Sequence, residues 1–548
     1  MIRIANFNVN FDDTRELAVL AAERLGVMPE AVSQVKVVRK AVDARRFHGA
    51  PIRFVYMLDV SVSGSEKKLL SRWKKDRNVS KAPEAGEPAE RFSPIGRLDL
   101  PPVVAGFGPA GMFAALTLAR HGWCPVVVER GRDVDRRHED IARFWAGGAF
   151  DEKSNVQFGE GGAGTFSDGK LTTRVNDPLM GQVLADFVAA GAPEEIMYLH
   201  KPHIGTDLLR QVVKNIRQEI IRLGGQVRFE TQVTGLETDS DGRLRGVLLN
   251  DEERMAAGAV FLGIGHSARD TYQMLFDSNV AMEAKPFAIG VRIEHPQELI
   301  DVSQYGQDAG SPLLPVADYA LTYNDKASGR GAYSFCMCPG GQVVAAASET
   351  GGVVTNGMSN YRRNSGVANS ALLVTVNTTD FASHVLGGIE FQRQWERLAF
   401  QLGGGDYRAP VQTVGDFLSG RQGSRDFLTK PSYLPGVKPV DLHGCLPGFV
   451  TDMLASALPY WDRKIHGFAH EGAVMTGVET RSSAPCRIVR DRENYQSISM
   501  PGLYPIGEGA GYAGGIMSAA LDGMNASLAF LRENSHNIQD NGLKDIQI

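Results

Sequence analysis

Two cysteines separated by a single residue, Cys336 and Cys338 in Cys-Met-Cys-Pro-Gly-Gly, are the side chains best suited to redox chemistry or to holding a metal. A thiol pair moves two electrons by closing a disulfide, and thiolates are strong metal ligands. Redox turns and zinc ribbons use a gap of two residues, and no matching pair follows. No metal is therefore expected, and two small buried side chains are the plainer reading. His443, His466 and His470 come next, because imidazole is the usual proton donor or acceptor near neutral pH. The string Glu479-Thr-Arg-Ser-Ser-Ala-Pro-Cys-Arg487 adds Arg481, whose planar guanidinium suits a carboxylate, a phosphate or an electron-rich reduced ring. Against these stand a structural histidine and a solvated loop ion pair.

Glycine-rich segments say what such groups would act beside. The apolar run Pro102–Ala105 leads into Gly106, Gly108 and Gly111, with Pro109 and Ala110 inside the turn, and then into the helical pattern MFAALTLARHG. Gly106 suits a tight turn, Gly108 lets backbone approach a pyrophosphate, and Gly111 lets helix and strand pack closely. The helix start offers free N–H groups and a positive dipole end to phosphates. A second strand, Pro125–Val128, ends in Glu129 and Arg130, about 20 residues past the glycines, where an acid accepts hydrogen bonds from an unphosphorylated ribose.

A second nucleotide-facing helix start lies far along the chain, in GLYPIGEGAGYAGGIMSAALDGMN. A simple NAD dehydrogenase needs none at its C-terminus, whereas FAD is long enough to require one. The segment resembles the C-terminal flavin motif of the glutathione-reductase-like superfamily, in which an acid after the strand meets ribityl or phosphate hydroxyls. By that resemblance Glu508, next to Gly507, takes this role. Gly514, Gly515, Ile516 and Met517 would turn N–H groups toward the flavin pyrimidine, stabilising negative charge there on reduction. A third segment, FGEGGAGTFSDGK, holds Gly161, Gly162, Gly164 and Thr165, and adds Ser167, Asp168 and Lys170 as side-chain contacts. Val233 in the strand QVRFETQV, and Gly263 and Gly265 at the end of the buried run Ala259–Ile264, complete the expected cofactor contacts. The GxGxxA pattern of Gly263–Ala268 lacks the following strand and acid of a second fingerprint, so it reads as the strand closing the FAD domain.

These segments need elements to position them. IRIANFNV, Val35–Val42 and Ile52–Val62 alternate as strands, while Thr14–Leu25 and Thr206–Leu223 have helical periodicity. The chain of 548 residues is 43% apolar and 22% charged, the proportions of a globular protein. Residues 1–97 carry 18 Lys and Arg against 12 Asp and Glu, and the remainder is strongly acidic. That contrast, with the polar stretch Ser80–Pro94, predicts a boundary near residue 95. Five thinly spread cysteines make no disulfide framework. No signal sequence or bilayer-spanning run is read, so a cytoplasmic location is expected.

With the motifs assembled, the chain resembles the bacterial family described as uncharacterised FAD-dependent, NAD(FAD)-utilising dehydrogenases. The likeness runs through KVVRKAVDARR, FGEGGAGTFSDGKL, GIGHSARDT, KPFAIGVRIEHP, SFCMCPGGQVV, TNGMSNYRR, NSALLV and GEGAGYAGGI. It implies an α/β fold with a Rossmann-type FAD-binding domain built from two separated stretches, 96–275 and 496–548. An inserted α+β substrate domain would occupy 276–495, and a small basic α+β domain 1–95. The expected function is hydride transfer between an organic small-molecule substrate and flavin N5, with a separate electron carrier as a further partner. Two rival readings are an RNA-acting flavoprotein that grips phosphates through Arg39, Lys40, Arg45, Arg46, Lys67, Lys68, Lys74 and Lys75, and a non-catalytic flavin sensor. The basic group lacks an aromatic-rich RNA motif, so nucleic acid is the less expected partner.

Overall fold

The computed structural model of the chain describes residues 1–45, 50–83, 92–94 and 100–537. It contains two compact units, one of Met1–Ala89 with Pro193–His203 and Asp301–Ala317, the other of Glu90–Ala192, Ile204–Ile300 and Asp318–Ile548. Residues 84–91 of the polar stretch, residue 95 of the expected boundary, and Arg46 lie outside the described residues. Among the described residues no helix is long and apolar enough to cross a membrane.

In the first unit the order is strand Ile2–Asn10, helix Leu17–Leu25, strands Val32–Asp43 and Arg53–Val62, helix Glu66–Arg72 and strand Val79–Lys81. The strands align as second, third, first, fourth, every neighbouring pair antiparallel, which is the arrangement of a ferredoxin-like plait. The alternation read from sequence sends Phe54, Tyr56, Leu58 and Val60 to one face, where they meet Ile2, Ile4, Leu20 and Leu25. Helix Leu17–Leu25 starts three residues later than its periodicity predicts and stops at Gly26, whose φ of +67° closes it in the left-handed conformation. The backbone of Lys40 pairs with Tyr198 and His200, so Pro193–His203 continues the sheet edge. No local pattern advertises that long-range pairing.

The second unit holds a five-stranded parallel sheet in the order Leu503–Pro505, Val260–Leu262, Val103–Ala105, Val126–Val128, Gln226–Arg228. Its strands are only three residues long, and all but the last are wholly buried. Such short ladders are held mainly by burial, roughly 1.5–3 kcal/mol for each Val, Leu or Phe removed from water. Helices Pro109–Arg120 and Ile516–Asn534 lie close against each other: a Cβ on Gly523 would stand 2.1 Å from the Ala110 carbonyl oxygen. The run QVRFETQV, expected as one strand, is two. Glu230 takes a φ of +52° and breaks it, after which Val233–Thr238 joins Leu244–Leu249 and Glu253–Ala256 in an antiparallel sheet.

Residues 287–479 build a seven-stranded sheet that is antiparallel except at one edge, in the order Thr322–Asn324, Gly331–Cys338, Val367–Val376, Phe287–Pro296, Val474–Glu479, Ala409–Thr413, Val437–Pro439. This sheet belongs to the same compact unit as the parallel one. The pairing of Met282–Ala284 with Cys486–Ile488 brings together the two places where the chain leaves the parallel sheet and returns to it.

Candidate active site

Ligands of open α/β sheets lie beyond the carboxyl ends of the strands, and here the glycine segments converge at that edge. Some of these glycines serve packing. A Cβ on Gly106, whose φ is +95°, would stand 2.3 Å from the Gly263 carbonyl oxygen, and one on Gly111 would stand 1.9 Å from that of Gly106. On Gly509 it would stand 2.6 Å from the carbonyl oxygen of Gly265. Gly108 differs. Its φ is −77°, open to any residue, and a Cβ there would find only the Gly162 Cα, at an ordinary 3.7 Å. Gly514 would meet nothing within 4 Å. At these two positions bare backbone faces free space that the protein does not fill.

One cleft contains the three glycine segments. A Cβ on Gly162 would come within 2.9 Å of the Gly108 Cα, and one on Gly164 within 3.0 Å of Ile516 Cγ1. Helices Pro109–Arg120 and Ile516–Asn534 both begin here, on Gly108 and Gly515, and neither has a side-chain cap. Their first-turn N–H groups remain for an acceptor from outside the protein. The Thr165 hydroxyl, also in this segment, is buried without a partner.

Three acids hold or face this cleft. The buried Glu129 accepts from Phe107 N at 2.8 Å, Gly159 N at 2.9 Å and Gly131 N at 3.0 Å. That takes three of the roughly four acceptor positions of a carboxylate. Asp522 accepts from Gly507 N at 2.6 Å and from both terminal nitrogens of Arg490, fixing the turn ahead of Glu508. Glu508 itself is half-buried; its backbone carbonyl accepts from Gly511 N, and its carboxylate accepts no hydrogen bond from the described residues. Burial pushes its carboxyl up to about 7, with Lys285 opposing and Cys336 reinforcing the shift. A desolvated carboxyl without a side-chain partner suits the hydroxyl-rich chain of FAD, and the two open helix starts suit its phosphates.

Arg137 is the group that sequence reasoning missed most completely. It is fully buried, and its guanidinium donates to the carbonyls of Asn155, Val156, Gly159, Glu160 and Gly162 at 2.7–3.3 Å. It thereby sets the shape of the loop that faces Gly108. Burial lowers its pKa to about 10, so it stays charged at neutral pH. Arg130 is placed by Asp270 and Thr271 and lies 4.4 Å from the Phe158 ring. Val233 is buried in the hydrophobic core.

Lys170 links the third glycine segment to the seven-stranded sheet, donating to the Met337 carbonyl. Next to it Arg292, fully buried, makes a bidentate pair with Glu479 at 2.5 and 2.9 Å and donates to Cys336 O, Asn369 and Asn356. Glu479 stands eight residues from Arg487 in the same string, yet its partner is Arg292. Ser167 and Asp168 do not offer free side chains to a cofactor. Ser167 Oγ donates to Gly164 O at 2.6 Å and accepts from Gly169 N. Asp168 accepts from Ser359 and Arg363. Burial pushes its carboxyl up, but Arg363 and Lys170 outweigh this and hold it below the usual range.

The other expected catalytic groups are corrected by their surroundings. Arg481, read as a free cation for substrate, is buried and spent on Glu396 and Ser348. His443, His466 and His470 are exposed. His443 pairs with Asp441 at 2.7 Å and stacks on Phe417, while His470 accepts from Gly472 N. The histidine beside the glycines is His266, directly after Gly265, whose Nδ1 lies 2.9 Å from Ser267 Oγ. Burial, Arg481 and Arg269 lower its pKa to about 3, so it is neutral at physiological pH. Its place in GIGHSARDT was visible in the sequence, but the buried cations that neutralise it were not.

Residues 286–482 match the family described as FAD-dependent protein, C-terminal domain-like, and residues 1–61 match a domain of unknown function. A glycerol-3-phosphate dehydrogenase from Bacillus halodurans, solved with FAD, is 13% identical over 80% of this chain and 66% of its own, with a TM-score of 0.33. A geranylgeranyl bacteriochlorophyll reductase-like protein from Thermoplasma acidophilum is 12% identical over 82% of this chain and 80% of its own, at 0.35. Likeness this loose carries no argument. An uncharacterized protein of Clostridium beijerinckii is 50% identical over 530 residues, 96% of this chain and 98% of its own length. The chain belongs to the same family as that protein, a family of FAD-dependent proteins, and FAD is its cofactor.

Proposed function

We propose that the chain is an FAD-dependent oxidoreductase that transfers hydride between a small organic molecule and flavin N5, with the pyrophosphate seated against the bare backbone of Gly108, where the Gly162 loop meets it. The observation that carries this reading is unfilled room at Gly108 and Gly514, next to the partnerless Glu508 and a half-buried amine and thiol, Lys285 and Cys336. Bound FAD supplies the two-electron acceptor or donor. In this reading Gly108 and the first turn of Pro109–Arg120 bind phosphate, the remaining acceptor position of Glu129 takes a ribose hydroxyl, and Glu508 takes a ribityl hydroxyl. The N–H groups at Gly515–Met517 hold negative charge at the ring's pyrimidine end. Lys285, whose pKa burial lowers, is poised to give or take a proton near Glu508. Phe287–Pro296 and Gly331–Cys338, which carry Arg292 and Cys336, line the substrate side.

Reductant choice tests the reading. Gly263 N donates to Ala105 O, binding the GxGxxA segment into the parallel sheet itself, which supports a single dinucleotide site. Free NADH and NADPH are expected to bleach the flavin far more slowly than the roughly 10 per second of a median enzyme, whereas the physiological organic substrate bleaches it at that rate or faster. The measurement is anaerobic stopped-flow absorbance with each nicotinamide and with a panel of small organic acids, amines and alcohols. Rapid bleaching by NADH would overturn the single-site reading. A flavin whose redox state responds to no small molecule in the panel would count against the enzyme and for a sensor.

A further inference from the structure

Cys336 and Cys338 sit at an irregularity in their strand. Phe335 pairs with Ala371 and Cys338 with Asn369, so the strand carries one extra residue there, a β-bulge. Cys336 takes a φ of +43°, a left-handed conformation that non-glycine residues seldom adopt. In a regular strand, residues two apart lie at about 6.6 Å between Cα atoms, the far end of what a disulfide spans. Here the bulge folds the chain so that the Cys338 thiol turns back on Cys336 and donates to its carbonyl at 3.2 Å. Both sulfurs are free.

Two cations grip the same tripeptide. Arg292 donates to Cys336 O at 2.9 Å with its Nη1 4.0 Å from Cys338 Sγ, and Lys170 donates to Met337 O. The two thiols are unequal: Cys338 is fully buried, whereas Cys336 is half-buried. The adjoining Cys338 thiol, with Arg292 and Lys170, outweighs burial and holds the Cys336 thiol below its ordinary range, while Cys338 is pushed up. An accessible thiolate backed by a buried thiol is the asymmetry of a nucleophile and its resolving partner. Cys336 also lies within electrostatic reach of Glu508, at the flavin cleft.

We propose that Cys336 and Cys338 form a redox-active dithiol and disulfide pair that exchanges two electrons with the flavin and with an exogenous low-molecular-weight thiol. The inference rests on the flavin lying in the cleft described above. In the oxidising direction the Cys336 thiolate and the Cys338 thiol join by an S–S bond, and the electron pair and the Cys338 proton go to oxidised flavin, leaving it as the reduced anion. In the return direction a thiolate attacks Cys336 Sγ, the S–S bond breaks and Cys338 leaves, taking a proton from water. A second exogenous thiolate then attacks the exogenous sulfur of the mixed disulfide, releasing Cys336 as its stabilised thiolate and an external disulfide.

The test is an anaerobic reductive titration of fully oxidised holoprotein with dithionite, paired with mass spectrometry of the tryptic peptide Gly331–Arg362. The wild-type chain is expected to take up four electrons per bound flavin, and the peptide to lose two hydrogens on diamide treatment. Cys336→Ser and Cys338→Ser are each expected to take up two electrons and to show no such loss. FAD content is measured in every sample, so loss of flavin reports on the cleft and not on the thiols. The apoprotein, given diamide, is expected to close the same disulfide. A wild-type chain that binds FAD but takes up two electrons, with its peptide mass unchanged by diamide, would overturn the proposal.

Discussion

A Gly108→Val chain is expected to purify without flavin, with a dissociation constant for FAD raised at least ~100-fold, or about 2.7 kcal/mol. The physical reason is specific to this glycine. Its φ of −77° strains no side chain, and the only neighbour a Cβ would meet is Gly162 Cα at 3.7 Å. A valine Cβ therefore fits at ordinary contact distance, and its methyls project into the open space beside the Gly108–Gly162 contact, where phosphate would approach. The apoprotein's unfolding midpoint should stay close to wild type while flavin binding, read by fluorescence titration, collapses. Gly111→Val is the contrasting control. Its Cβ would stand 1.9 Å from the Gly106 carbonyl oxygen, so that variant should lose stability together with flavin. Full FAD occupancy in Gly108→Val would show that phosphate does not sit against Gly108.

The second large effect is structural. Glu396 accepts two hydrogen bonds from Arg269, two from Arg481 and one from Thr480, at 2.7–3.1 Å, and all three ions are buried. Glu396→Ala leaves two guanidinium groups facing each other out of water, which costs about 3–5 kcal/mol. Against a total stability of about 5–15 kcal/mol, that brings the chain near unfolding. The same network has a pH signature. Burial raises both Glu396 and Glu349, but the neighbouring arginines outweigh it, holding Glu396 far below its usual range and Glu349 at about 2. Groups depressed in the folded state add stability that is complete above the unfolded value of 4.5 and is lost as pH falls below it. Denaturant unfolding between pH 6 and pH 3, about the span where a carboxyl titrates, should show a steep acid loss in wild type and a shallower one in Glu349→Gln. Parallel curves would mean that the network carries little of the acid sensitivity.

Much of the cleft was legible in the sequence because its requirements are local. Gly106 at a tight turn and Gly111 under a helix answer to backbone geometry within a few residues, and spacing records that. So do the strand and helix periods of the first unit. What was not legible depends on distant partners. Arg137 looks like any helix-surface arginine until the Asn155–Gly162 loop folds over it. Arg481 looks free because its counter-ion, Glu396, lies 85 residues earlier on the helix Gly387–Gly403, and residue type alone does not tell an exposed histidine from a buried one. The seven-stranded sheet pairs Phe287–Pro296 with Val367–Val376 and Val474–Glu479, contacts that periodicity cannot order. QVRFETQV reads as one strand because its apolar alternation continues through Glu230, where the backbone turns.

The central claim, that FAD lies across the cleft shared by Gly108, Gly162, Gly164 and Ile516, is tested most directly by locating the cofactor in a crystal of the holoprotein. The pyrophosphate is expected against the backbone of Gly108, within hydrogen-bonding distance of N–H groups in the first turn of Pro109–Arg120, with Glu508 on a ribityl hydroxyl and the ring between Gly515–Met517 and Cys336. A flavin bound elsewhere on the chain, with only water over Gly108, would contradict it.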